Sequence, residues 1–143
     1  MGTSRMNGDE IDALLEEQGA GVLSLAADSD SYAVPESFGY DGEDIYFQFV
    51  YDDDSRKRAY METTELVTFT VFTEEPARSV VVRGRLERVP ADDEVLAAAA
   101  IAENAEVPTL NVIPDEEMED LTAEHVRLVP EEVSGRVFEA TPG

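Results

Sequence analysis

The chain has 143 residues, of which 33 are acidic and 10 basic, giving a formal net charge of -23 with 43% apolar residues and no cysteine. That length supports a single domain over 1–143 with one real core, and the alternating Val, Phe and Tyr runs exclude a disordered acidic polymer. The charge excludes nucleic acid as a partner, and the lack of cysteine excludes disulfides and thiolate chemistry.

No apolar stretch approaches a membrane span and no signal peptide is visible, so a cytoplasmic protein without membrane contact is expected. The basic complement is nine Arg and one Lys, and the acids spread over the whole length. A surface this acidic repels itself unless counterions screen it. The expectation is a protein of a high-salt organism, less stable as salt is lowered.

Asp9-Glu10 opens an amphipathic helix in which Ile11, Leu14 and Leu15 recur at helical spacing, and Gly19 and Gly21 end it. Gly21 to Ala27 is a first strand, and Asp28 to Ser31 is turn chemistry. A second strand runs from Tyr32 to Tyr40. Asp41-Gly42 is a hairpin signal, and Ile45 to Val50 completes the third strand. A short helix is predicted over Ser55 to Thr63. Glu65 to Thr73 alternates with period two, as a half-buried antiparallel strand does. Glu74 to Ala77 is a turn and Arg78 to Val89 a long strand. Pro90 to Asp93 caps a helix through Glu103, with Asp92 or Asp93 as N-cap, and its Ala97 to Ala100 run is read as helix propensity alone. Pro108 to Thr122 is irregular or weakly helical, His125 to Val129 is a last strand, and Gly135 to Phe138 is a tail segment. Hairpin-linked strands interrupted by one short helix suggest a small antiparallel barrel.

Three of the ten basic residues are consecutive, Arg56-Lys57-Arg58, and Lys57 is the only lysine. Asp52-Asp53-Asp54-Ser55 precedes them as a loop feeding a helix start. Cations and a hydroxyl in a first turn, where backbone N–H groups are free, suit a phosphate-bearing small ligand. Pairing with the neighbouring acids on a solvated surface is the competing outcome.

Gly21-Val22-Leu23-Ser24-Leu25, Tyr32 to Gly42, Ile45-Tyr46-Phe47, the Ser55-Arg56-Lys57-Arg58 helix start and Arg78 to Leu86 occur in a familiar order. With the late Leu128 to Arg136 segment, they resemble the pyridoxamine 5'-phosphate oxidase-like, FMN-binding split-barrel family. The resemblance implies a mainly β (α+β) fold, a six-stranded antiparallel split β-barrel with short flanking helices. It also implies FMN in a groove between the subunits of a homodimer. Ser55, Arg56 and Lys57 would hold the phosphate, and backbone groups around Val34, Pro35, Glu36 and Ser37 would meet the isoalloxazine edge. Gln48 and Phe49 could line the ribityl chain, with Ser79 and Arg83 as further contacts. Pro35 cannot donate to a ladder and so marks a sheet edge or gap. Glu36 departs from relatives that place a smaller or apolar residue there.

The implied activity is a flavin-dependent oxidoreductase passing electrons between a reduced donor and a small molecule. The alternative is a non-catalytic module binding flavin, deazaflavin or haem as sensor or store. Period two puts Arg83 and Arg85 on one face of their strand and Arg88 on the other, where pairing with Glu87 or Glu65 would make a solvated ladder. Asp52 to Asp54 reads as a solvated loop rather than a cation site, and His125, the only histidine, as structural. No nucleophile elbow supports a Ser-His-Asp hydrolase.

Overall fold

Period-two alternation becomes one curled antiparallel sheet in the computed structural model, which describes residues 2–27, 30–51, 66–104 and 122–139. The elements are β1 (Gly2–Arg5), α1 (Gly8–Glu17), β2 (Ala20–Ala27), β3 (Asp30–Ser37), β4 (Gly39–Tyr40), β5 (Ile45–Tyr51), β6 (Val67–Glu74) and β7 (Ala77–Arg88). A 3-10 turn over Ala91–Asp93 then leads into α2 (Glu94–Asn104), and β8 (Thr122–Glu139) closes the chain. The sheet runs β3-β2-β6-β7-β8-β5-β4, with β1 paired to β8. Cα atoms of β3 and β5, far apart along that path, approach within 8 Å, so the sheet curls towards closure. Six strands are long, as the split barrel requires; β1, with four residues, and β4, with two, are short additions.

Alternation sorts each strand into an inner and an outer row. Leu23 and Leu25, Val67, Phe69 and Val71, Val80 and Val82, and Phe47 and Phe49 all point inward and are buried. Phe69 lies edge-on between Phe38 and Phe47, at centroid distances of 5.1 and 5.0 Å. These T-shaped contacts fill the barrel. Leu14 and Leu15 of α1 plug one opening of it. The α1 start carries a capping box: the Asn7 side chain accepts from the Glu10 N–H at 2.9 Å, and the Glu10 carboxylate accepts from the Asn7 N–H at 3.1 Å. That Asn-x-x-Glu pattern places the N-cap two residues before the predicted opening.

The predicted last strand and tail are one strand of 18 residues, β8. The strand continues past its predicted end at Val129, because Pro130 sits opposite Gly84, where the β7–β8 register shifts. A bulge is where a strand tolerates a residue without an N–H. The 3-10 turn begins at Pro90 with no side-chain cap bond and ends at Asp93, which directly precedes α2. The alanine run does more than favour helix. Ala97 and Ala100 are buried with Tyr46, Val89 and Ile101, seating α2 on the outer face of the sheet. Gly39 lets that happen, since a Cβ there would meet the Ala100 backbone carbon at 2.3 Å. The helix predicted over 55–63 lies outside the described residues, as does nearly all of the irregular stretch predicted from Pro108. Among the described residues no helix is long and apolar enough to cross a membrane.

Candidate functional site

Strand β3 ends the sheet path, which is the edge position that Pro35 demands. Pro35 faces outward opposite Val22, whereas Val34 faces inward opposite Leu23 and is buried. Glu36 also faces inward, opposite Gly21, and is 2% exposed; Ser37 is 5% exposed. The unusual carboxylate therefore lies behind the strand rather than on its outer surface, and the Phe69 ring packs against Gly21 opposite it, where a Cβ would meet that ring at 2.6 Å.

The β2–β7 part of the outer face has a consistent composition. Ala33 and Pro35 on β3 are followed across the ladder by Ser24 and Val22 on β2, Thr68 and Thr70 on β6, and Arg83 and Val81 on β7. Small, uncharged and hydroxyl-bearing side chains thus make a strip across four strands with one cation at its β7 end. A planar aromatic ring could lie on such a strip, and the hydroxyls supply donors for its edge. Ser79 and Arg83 share this face on either side of Val81, which lies three strand spacings, roughly 14 Å, from Pro35. Arg83 pairs with Glu132 at 3.9 Å, Arg85 with Glu131 at 3.3 Å, and Arg88 with Glu124. The cation ladder exists, with carboxylates of β8 as partners; Glu87 pairs with Arg127, and Glu65 lies outside the described residues.

Gln48 lies elsewhere. It is half-buried on the outer face of β5, opposite His125 of β8, whose Nδ1 pairs with Glu94 at the start of α2. The histidine therefore ties α2 to the sheet, as a structural role requires. Phe49 is fully buried and stacks obliquely on Phe47 at 5.8 Å, so its ring belongs to the barrel interior and supports β5 from behind. Ser55, Arg56 and Lys57 lie outside the described residues, as do Asp52 to Asp54. Among the described residues no group of His, Asp and Glu is gathered to hold a metal ion.

The β4–β5 hairpin gathers three donors on one carboxylate. Asp41 Oδ1 accepts from the N–H groups of Glu43 and Asp44 at 2.8 and 2.7 Å, and Oδ2 accepts from the Tyr46 hydroxyl at 2.8 Å. Burial alone would raise the Asp41 carboxyl, but the two N–H groups and the phenol outweigh it and hold it below the usual range. Burial and the hydrogen bond to Asp41 push Tyr46 up to about 12. Tyr40 is likewise pushed up, by burial first and then by Asp12, which accepts its hydroxyl at 2.6 Å. That pair borders a cavity of about 390 Å³ between α1, the hairpin and β8, with Ile11, Leu15 and Val133 as apolar lining. Sequence inspection missed it because Asp12 and Tyr40 are 28 residues apart and no local pattern joins them.

A family model described as pyridoxamine 5'-phosphate oxidase matches residues 7–137. Among solved structures, a candidate pyridoxamine 5'-phosphate oxidase from Corynebacterium glutamicum is 25% identical, with a TM-score of 0.72 over 97% of this chain and 100% of that one. An FAD-binding protein from Mesorhizobium loti is similar at 21% identity and a TM-score of 0.73, covering 97% of this chain and 100% of its own. The FAD-binding protein from Mycobacterium smegmatis is 21% identical with a TM-score of 0.67, over 96% and 100% of the two chains. No curated protein matches the sequence.

Proposed function

The chain belongs to the pyridoxamine 5'-phosphate oxidase family, and from that premise we propose that it is a homodimeric flavoprotein, binding FMN and serving as an oxidoreductase for a small molecule. The observation that carries the reading is the extent of the family match, residues 7–137, which runs from the N-cap of α1 almost to the end of β8. Two structural relatives described as FAD-binding support a flavin. FMN is favoured over FAD by the sequence around the basic triplet, where Ser55, Arg56 and Lys57 can hold one terminal phosphate through charge-assisted hydrogen bonds.

The strip on the outer face of β3, β2, β6 and β7 suits the ring. Its edge would meet backbone groups of Val34 to Ser37, with Ser79 and Arg83 at the far side. Gln48 would reach it from β5, while Phe49 keeps that strand in place from within. Phe72, 55% exposed on the outer face of β6, would be covered by the second subunit. The bound flavin supplies hydride and electron transfer, so the protein's task is to hold and orient it. The acidic surface fits a cytoplasm of high ionic strength, where screening lets an anionic ligand approach.

The test is the visible spectrum of protein purified in molar salt, followed by titration with FMN, FAD and riboflavin. FMN should bind tightest. Replacing Arg56 and Lys57 together by Ala should weaken FMN on the order of a hundredfold or more and leave riboflavin unaffected. Bleaching of the bound flavin by NAD(P)H would support turnover, and binding without bleaching a sensor or store. Absence of binding by all three flavins would refute the proposal.

A further inference from the structure

Seven arginines lie among the described residues, and five of them meet a carboxylate. Arg78 pairs with Glu17 at 3.3 Å, Arg83 with Glu132, Arg85 with Glu131, Arg88 with Glu124, and Arg127 with Glu87 and, at 3.3 Å, Asp93. In a chain with 33 acids and 10 bases this is what chance alone would favour. The two exceptions are Arg5 and Arg136. Neither has a carboxylate within ion-pair distance among the described residues, and they are direct cross-strand partners in the β1–β8 ladder. Like charges placed opposite one another on an antiparallel pair repel, and such pairs destabilise a sheet.

The same two residues border one cavity of about 440 Å³, together with Met6, Ile11, Ser134 and Gly135. The volume is in the range of small-molecule sites. Behind the two arginines, on the opposite face of β8, the backbone is closely packed, for a Cβ at Gly135 would meet Ile11 Cγ1 and Met6 Sδ at 2.9 Å each. Glu132 stands at the rim, but its carboxylate is engaged with Arg83 at 3.9 Å. Two guanidinium groups and a hydroxyl thus share one face of the β1–β8 ladder at the border of this cavity.

We infer that Arg5 and Arg136 form a binding site for the oxyanion of a small molecule, a phosphate monoester or a carboxylate. An oxyanion between the two forks turns a repulsive pair into two sets of charge-assisted hydrogen bonds, each able to be bidentate. Ser134, on the same face as Arg136, can donate a further bond. The site is built from β1 and β8, with Arg136 opposite Ser79 of β7, and inorganic phosphate serves as its probe, so its test needs no bound flavin.

Thermal unfolding of the full chain should be followed at a constant ionic strength of about 1 M, where a Debye length of about 3 Å screens non-specific attraction. Potassium phosphate or potassium succinate would replace part of the potassium chloride. Wild type should gain stability with one or both oxyanions in a saturable way. Arg5→Gln and Arg136→Gln should each weaken that apparent affinity about tenfold or more, with Arg136→Lys in between and Arg85→Gln like wild type. In chloride alone the two Gln variants should melt at or above the wild-type temperature, because a repulsive contact is gone. A purely structural role would lower it. Response to phosphate only assigns a phosphate ligand, response to succinate only a carboxylate, and response to both the shared oxyanion chemistry. No stabilisation of wild type, or equal stabilisation of wild type and both Gln variants, overturns the inference.

Discussion

The barrel interior and the patch beneath α2 are both apolar and buried, but they are made of opposite materials. Inside the barrel, the rings of Phe38, Phe47, Phe49 and Phe69 fill the volume, all with no exposure. Under α2, Ala97 and Ala100 pack with Val89, Ile101 and Tyr46, and the helix backbone comes against Gly39. One region is held by bulk, the other by the absence of bulk. They should therefore fail in opposite ways: truncation opens the first, and enlargement lifts the second.

The largest expected effect is Phe69→Ala. Phe69 contacts two other rings and is fully buried, so its removal should cost about 3–5 kcal/mol in transfer and cavity terms. Urea unfolding in molar salt would measure this, and a loss under about 1 kcal/mol would mean the barrel can collapse around the gap. Gly39→Ala tests the second region. Its Cβ would lie 2.3 Å from the Ala100 carbon and 2.4 Å from the Ile101 nitrogen, backbone atoms that cannot rotate aside. The helix must shift, at a cost of about 1–3 kcal/mol. Hydrogen exchange should show α2 losing protection while β6 and β7 keep theirs; uniform loss across the sheet would mean the two regions unfold as one unit.

These two regions also mark what the sequence reveals and what it hides. Alternation from Val67 to Thr73 and along β7 made the inner row of the sheet readable, because a half-buried strand repeats every two residues wherever it lies. Order of elements and short motifs carried the split-barrel family. Three things were hidden, for separate reasons. Pro130 and Gly135 look like breakers until the Arg83/Gly84 register shift shows that β8 runs through them. Ala97 to Ala100 carries no amphipathic signal, since alanine suits either face, so only the Gly39 contact shows which side is buried. The inward direction of Glu36 depends on its pairing with Gly21, a relation between strands that no single-strand pattern contains. Of the flavin candidates, Pro35, Ser79 and Arg83 share an outer face with the β2 and β6 hydroxyls, while Phe49 belongs to the interior and Gln48 to the neighbourhood of α2.

The smallest expected effect sharpens the comparison through pH, because the α2 patch is tied down by a titratable pair. Tyr46, buried beneath the helix, donates to Asp41 in the β4–β5 turn. The carboxyl of Asp41 is held below its ordinary value of 3.8, so its contribution is full above about pH 4 and disappears as pH falls through the lower folded value. Tyr46 works in the other direction. Its folded value of about 12 lies above the ordinary 10.0, so the neutral phenol contributes fully below pH 10 and is lost as pH rises towards 12. Asp41→Asn should therefore cost only about 0.5–1 kcal/mol near neutrality, since the carboxylate is largely exposed and screened. The difference from wild type should shrink below pH 4, as the wild-type carboxylate is itself neutralised. Tyr46→Phe should remove the part of the stability loss between pH 10 and 12 that comes from this phenol, while leaving the acid limb nearly intact through the two backbone N–H bonds to Asp41. Urea melts of the three proteins across that range would show it. A wild-type advantage over Asp41→Asn that stays constant down to pH 2 would mean the turn is held by its backbone alone and that the anchor beneath α2 is as indifferent to charge as the rings inside the barrel.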